Sequence, residues 1–397
     1  MRLDALAKRK ILFVLGSLGA GGAERQVLRI LTHLDRTRYS PCLYVIDRTG
    51  ELASEVPADV PVFGYWDDKT YPRVNFPGRI LLSQVRDLAR VIDREAIDLV
   101  YDRASQMTLT ASLAMRGKSI PRISVAVGEP SRDFQLLHSR FSLCKRILLR
   151  RAYQSADRVV GVSEGVREGL IKFFGLPPSQ VVTCPNLFDI HQIDQLSDER
   201  FDKYEPDRFE IVAVGRLSQE KGQVHLLQAV KRLVNTDRLT QIRLWLVGSG
   251  PMEEQCRQFV TEHQLGEHVR FAGYQANPLP FVKHAQLFCL PSLYEGMPNA
   301  LVEAMVCETP VVASDCPSGP RELVGASNQR GRLVPPADAN SLADAIREAT
   351  NNYQQCVAKT SDARQYIIDN YSLEPGLQRL DELFDAVMEL AGKTSSS

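Results

Sequence analysis

Along almost the whole chain, short apolar runs rich in β-branched residues alternate with longer stretches in which apolar residues recur at helical spacing. That alternation predicts parallel sheets covered by helices on both faces. In the first half, strands are expected at 10–15, 41–46, 60–64, 99–102, 122–127, 158–162 and 181–183. Helices fall between them, as at 24–34, where Val27, Leu28, Ile30 and Leu31 share one face, and at 85–92. A polar, acidic stretch with weak helical order follows, PNLFDIHQIDQLSDERFDKYEPDRF, and reads as a domain boundary. The strand pattern then restarts at 210–214, 243–247, 269–272, 287–290, 310–313 and 331–334, as a second doubly wound domain would. The segment 361–390 predicts two helices broken near 372–375, ahead of a disordered tail at 393–397. The fold class expected is α/β, with domains at 1–200 and 208–365 and terminal helices at 366–392.

A length of 397 residues suits two cores better than one. Charged residues at 24% and hydrophobic ones at 44% make a chain able to bury both. Lysine plus arginine equals aspartate plus glutamate, 48 against 48, so no global field recruits nucleic acid. The eight cysteines are scattered, with no CxxC pair and no histidine cluster at zinc spacing, which predicts free thiols and no metal. The apolar run at 11–15 is too short to cross a bilayer, and glycines follow it. With no transmembrane segment apparent, a cytoplasmic protein is expected.

Three constellations carry candidate chemistry. The first strand is followed by Gly16, Gly19, Gly21 and Gly22, then Glu24 on a helix. Such a loop brings N–H groups and a helix N-terminus to an anion. It lacks the third glycine of a dinucleotide fingerprint, yet Asp47 ends the second strand where an acid would hold a ribose, so NAD binding stays open. The second constellation is GRLSQEKG, which places Arg216 and Lys221 after a strand, where two cations could neutralise a diphosphate or stand solvated. The third runs from Glu295 to Glu303, two carboxylates eight positions apart across a loop that opens a helix. One carboxylate could hold a ribose and the other a sugar ring, with N–H groups at 299–301 meeting a phosphate. A helix-dipole role for the glutamates fits that spacing equally well.

These residues together resemble the retaining glycosyltransferases of family 4, with the GT-B fold of two Rossmann-like domains facing a central cleft. The resemblance rests on GAGGAE, PNLFD, GRLSQEKG, LVGSGP and YEGMPNALVEAMVCETPVVASDCPSGPRE, in that order, and covers nearly the whole chain. It implies an acceptor domain first, a donor domain second, and a last helix crossing back to the first. It implies that Arg216 and Lys221 bind the donor diphosphate and Glu303 the ribose. Glu295 would hold the donor sugar with Gly296, Met297, Pro298 and Asn299, while Ala300, Leu301, Gly248 and Tyr274 complete the donor site. Gly21 and Gly22 would approach from the other domain. One departure stands out: where family members commonly carry a histidine, this chain has Gly128 and Glu129, making Glu129 a candidate sugar or acceptor contact.

The chemistry implied is transfer of a hexose or N-acetylhexosamine from a nucleoside diphosphate sugar, with UDP suggested by the PSGPRE segment. The acceptor would be a glycan or lipid-linked sugar, in cell-surface polysaccharide or glycolipid synthesis. No DxD triplet occurs, so no metal and no other cofactor is expected. A sugar phosphorylase, a sugar-nucleotide epimerase or an NAD-dependent oxidoreductase are the rival readings. Finally, HSRFSLCKRILLRRAYQSADR carries Arg140, Lys145, Arg146, Arg150 and Arg151, with Phe141, Leu143, Ile147, Leu148 and Tyr153 partly segregated at helical spacing. Such a helix could lie on an anionic membrane or pack on the first sheet.

Overall fold

The computed structural model describes residues 8–19, 21–69, 78–135 and 142–394. The chain divides into two compact units, Met1–Phe188 with Leu373–Ser397, and Asp189–Ser372.

In unit 1 the strands are β1 (Arg9–Leu15), β2 (Tyr39–Val45), β3 (Val62–Gly64), β4 (Leu99–Arg103), β5 (Arg122–Ala126), β6 (Arg158–Gly161) and β7 (Val181–Thr183). The helices are α1 (Gly22–His33), α2 (Arg79–Arg94), α3 (Ser105–Ala114), α4 (Pro130–Gln135), α5 (Ser142–Gln154) and α6 (Glu164–Phe174). In unit 2 the helices are α7 (Ile190–Ser197), α8 (Gln223–Asn235), α9 (Glu253–Glu262), α10 (Leu279–His284), α11 (Asn299–Val306), α12 (Pro320–Val324), α13 (Ala339–Asn351), α14 (Tyr353–Val357) and α15 (Thr360–Tyr371). Its strands are β8 (Phe209–Val214), β9 (Ile242–Val247), β10 (Val269–Gly273), β11 (Leu287–Leu290), β12 (Val311–Ser314) and β13 (Arg332–Val334). A last helix, α16 (Leu373–Thr394), returns to unit 1.

Both sheets are parallel throughout, in the orders β3-β2-β1-β4-β5-β6-β7 and β10-β9-β8-β11-β12-β13. A parallel sheet is covered on both faces, so its central strands must be apolar on both sides. In β1, Ile11 to Leu15 are accordingly all buried. In each sheet the winding reverses once, between β1 and β4 and between β8 and β11. Ligands of such sheets bind beyond the carboxyl ends of the two strands flanking the reversal. In unit 2, Leu226, Leu227, Val230 and Leu233 of α8 pack with Leu342 and Ile346 of α13 over the sheet, which fixes that edge.

Every strand expected from the sequence is present, with ends moved by a residue or two. The polar stretch after Thr183 is more ordered than its composition suggests. The Asp189 carboxylate accepts from the Gln192 N–H at 2.9 Å and starts α7, whose buried Ile193 and Ser197 face α10 and α11. Local capping thus draws residues from 189 onward into unit 2, and the division falls at 188/189 where a boundary at 200–208 was expected. At the other end α15 stays in unit 2, and the break near Ser372 separates it from α16. Of the tail, 393–394 lie in α16 and 395–397 lie outside the described residues. Among the described residues no helix is long and apolar enough to cross a membrane. All eight cysteines are free.

Candidate donor site

The reversal between β8 and β11 is where the candidate residues of unit 2 converge. After β8 the chain turns through Gly215 to Arg216, and β9 is followed by Gly248, which holds φ +136. A Cβ there would lie 2.0 Å from the Gly215 carbonyl oxygen, so only glycine lets the two strand ends come this close. Gly222, at φ +64, closes the turn Gln219–Lys221 and opens α8; a Cβ on it would meet Pro291 O at 2.2 Å. That contact seats Lys221 against the exit of β11. The Leu293 N–H donates to Glu220 O at 2.8 Å and stitches the two loops together.

Lys221 Nζ then donates to both oxygens of Glu295, at 2.7 Å and 2.9 Å. The Glu295 side chain is 6% exposed and that of Lys221 28%. Ser292 Oγ donates to Glu295 Oε1 at 2.6 Å, and the Glu295 N–H donates to Pro317 O at 3.2 Å, bringing in the loop after β12. Arg216 is exposed, and among the described residues its guanidinium has no hydrogen-bond or ion-pair partner. Its carbonyl, in contrast, is fixed by Gln223 Nε2 at 2.9 Å. The two loop cations therefore differ: Arg216 reaches into solvent, while Lys221 is already engaged.

Past Glu295, the residues Gly296, Met297 and Pro298 are buried, and Asn299 and Ala300 begin α11 half-buried, with no side-chain cap on that helix. The Leu301 N–H donates to Pro298 O at 3.0 Å, so of the three amides expected to face a phosphate this one is already used in the helix turn. Glu303 lies one turn inside α11, half-buried, and its charge helps burial push the Cys307 thiol up to about 12. Tyr274 follows β10 at the same edge with half of its surface exposed. Sequence reasoning passed over three buried polar groups at this edge. They are Ser292 and the hydroxyls of Ser314 and Ser318, the last two without a partner among the described residues. A serine three residues ahead of a candidate glutamate, just past a strand end, was the available signal for Ser292. Among the described residues no three His, Cys, Asp or Glu side chains gather as a metal ion would need.

In unit 1, Gly21 caps α1 through its backbone, and a Cβ on it would strike the Glu24 carboxylate at 2.2 Å. Gly22 is the first residue of α1. The Glu129 carboxylate accepts from Ser131 Oγ at 2.6 Å and from the Arg132 N–H at 2.8 Å, capping α4 with one oxygen. Asp47 turns its own loop, accepting from the N–H and hydroxyl of Thr49, which hold its carboxyl below the usual range.

On α5, Leu143, Ile147 and Leu148 are exposed at 67%, 42% and 48%, beside the exposed Arg146, Arg150 and Arg151 and the half-buried Lys145. Arg146 also donates to Phe173 O at 2.5 Å and lies over the Phe173 ring. Tyr153, expected on the apolar face of this helix, packs in the core against Phe174 instead, because Leu149, Ala152 and Tyr153 form the inward stripe. Arg140 and Phe141 lie outside the described residues.

The two units match two family profiles, Glycosyltransferase Family 4 over residues 20–192 and Glycosyl transferases group 1 over residues 197–367. The chain is thus a GT-B protein, and it belongs to the glycosyltransferases of the family 4 type. The N-acetylgalactosamine-N,N'-diacetylbacillosaminyl-diphospho-undecaprenol 4-alpha-N-acetylgalactosaminyltransferase of Campylobacter jejuni is 27% identical, over 87% of this chain and 94% of its own. An uncharacterised glycosyltransferase of Methanocaldococcus jannaschii is 30% identical, and there the chain spans only 43% of its relative's length. The solved structure of Anabaena HepE in complex with UDP shares the fold at TM-score 0.78 and 22% identity, covering 95% of this chain and all of the other. This assignment favours the transferase reading over the NAD-dependent oxidoreductase.

Proposed function

We propose that the protein is a retaining, metal-independent hexosyltransferase that moves a hexose or N-acetylhexosamine from a UDP-sugar to a glycan or lipid-linked acceptor. The observation that carries the reading is the Lys221–Glu295 pair at the β8/β11 reversal, with Arg216, unpartnered among the described residues, on the same loop as Lys221. Arg216 and Lys221 take the donor diphosphate, on which charge grows as the anomeric bond breaks, and fixed cations there lower the barrier. Glu303 holds the ribose and Glu295 the sugar hydroxyls, with the backbone of Gly296 to Ala300 around the phosphate and Gly248 and Tyr274 flanking the nucleoside. Attack from the face that the diphosphate leaves retains configuration without a protein nucleophile. Glu129, with one oxygen in its cap, offers the other to sugar or acceptor.

Relatives support a membrane-held acceptor, since the Campylobacter enzyme's name includes a diphospho-undecaprenol substrate. In this reading the protein works in the cytoplasm, in cell-surface glycan synthesis, and α5 rests its apolar and basic face on an anionic membrane. Calorimetry of the purified protein against UDP, GDP, ADP, their sugar conjugates and NAD, with and without chelator, tests the donor class. Chelator-insensitive binding of UDP that is lost in Glu303→Ala is the expected result; binding of NAD alone would sink the proposal.

A further inference from the structure

Glu295 is surrounded so that its two oxygens are not equivalent. Oε1 accepts from both Ser292 Oγ, at 2.6 Å, and Lys221 Nζ, at 2.7 Å, whereas Oε2, among the described residues, accepts from Lys221 alone, at 2.9 Å. Ser292 is wholly buried at the end of β11, and the neighbouring Leu293 N–H is tied to the loop after β8, so this hydroxyl cannot follow a moving ligand. Lys221 sits on a flexible stem with 28% of its side chain exposed, and can swing. A ligand anion that draws Lys221 away would therefore leave Glu295 anchored through Oε1 and open at Oε2.

We infer that Ser292 is a positioning residue: it fixes the Glu295 carboxylate through Oε1, so that Oε2 meets the hydroxyls of the donor sugar once Lys221 turns to the diphosphate. This inference rests on the function proposed above and assigns the sugar-reading step to one oxygen of one carboxylate. A carboxylate accepts most strongly along fixed lone-pair directions, and a buried supporting hydroxyl is what holds those directions against rotation. Without Ser292 the carboxylate turns about its last torsion, which is broad and roughly two-fold, and the sugar loses an aligned acceptor. The diphosphate and nucleoside contacts are unaffected, since Ser292 touches none of the groups that make them.

The experiment compares UDP with a UDP-hexose bound by the wild-type protein, drawn from UDP-glucose, UDP-galactose and their N-acetylamino forms. Calorimetry and melting temperature are measured for Ser292→Ala, Ser292→Thr, Glu295→Ala and the double Ala variant. Ser292→Ala is expected to keep UDP affinity within about threefold and to weaken the UDP-hexose by roughly ten- to a hundredfold, the scale of a hydrogen bond to a charged group. Ser292→Thr, which keeps the hydroxyl, should restore most of that loss, and Ser292→Cys serves in place of alanine if the smaller side chain does not fold. The double variant should be no weaker than Glu295→Ala alone, because Ser292 acts only through that carboxylate. Equal loss for UDP and UDP-hexose, or an additive double variant, overturns the inference while leaving the donor site standing. A wild-type protein that binds no nucleoside diphosphate overturns the proposed function itself.

Discussion

Asp102–Arg122 in unit 1 and Glu295–Lys221 in unit 2 each join a buried carboxylate to a cation near a sheet, and the two are built differently. In unit 1, Asp102 and Arg122 are 0% and 2% exposed in their side chains. Asp102 accepts from Arg122, Thr108 and Ser124, and Arg122 also donates to Ser124, Ser155 and the carbonyls of Thr108 and Ala152. Burial alone would press the Asp102 carboxyl toward neutrality, and these donors oppose it. Neither partner has anywhere to go. In unit 2, Glu295 is nearly as buried but Lys221 is not, and the pair leans on a single extra hydroxyl. A saturated pair is part of the scaffold, whereas a pair with one mobile, part-exposed partner can be exchanged for a ligand.

That contrast can be broken experimentally. Arg122→Ala strands a buried carboxylate and should cost about 3–5 kcal/mol of stability, read by denaturant unfolding. Activity per folded molecule should stay unchanged; a selective loss of turnover with stability intact would reverse the assignment. Glu303→Ala should lower transfer by roughly a hundred- to a thousandfold with little change in melting temperature. Lys221→Ala should lose as much activity and also a modest amount of stability, because it leaves Glu295 buried with one donor. Near-normal turnover in either variant would remove that residue from the site.

A smaller effect is expected on α5. Replacing Arg150 and Arg151 by glutamate should weaken binding to anionic vesicles by roughly tenfold or more, given about 1 kcal/mol for each cation near such a surface. Unchanged flotation would make this helix a solvated surface. Smallest is the Asp194–Arg364 pair of unit 2, in which Arg364 donates to both Asp194 oxygens and holds the carboxyl below its usual range. Its folded pKa is lowered, so its contribution is complete above the ordinary aspartate range and is lost as pH falls through the folded value. Screened by solvent, it should amount to about 0.5–1 kcal/mol. Asp194→Asn should therefore lower the melting temperature at pH 7, and the difference should shrink in acid; a pH-independent difference would contradict it.

How much of this was legible beforehand depended on whether a feature is local. The alternation of apolar runs fixed both parallel sheets because buried strands must be apolar on both faces, whatever surrounds them. Glu295, Arg216 and Lys221 were legible as motif positions, and the rule that ligands gather at strand carboxyl ends located them. That Lys221 grips Glu295 was not legible, since 74 residues separate them and the contact depends on Gly222 closing against Pro291. Nor could the sequence show that Glu129 caps α4 or that Tyr153 faces inward. The first is a local cap that the family comparison of that position obscured, and the second follows from which side of a helix meets the sheet, a fact of packing. Asp189 was written in the chain as a capping residue, and weighing it as such would have moved the boundary.

The return of α16 to unit 1 carries a consequence for how the polypeptide is born. Phe384 of that helix packs edge-on against Tyr39 and Tyr101, and Arg38 binds Asp381 and Asp385. During synthesis the first-made unit thus waits, one apolar flank uncovered, until nearly the entire chain has left the ribosome, while unit 2 is contiguous from Asp189 to Ser372 and can close earlier. The half that begins first finishes last, and nascent chains halted before residue 373 are predicted to display that flank to chaperones, as crosslinking on stalled ribosomes would reveal.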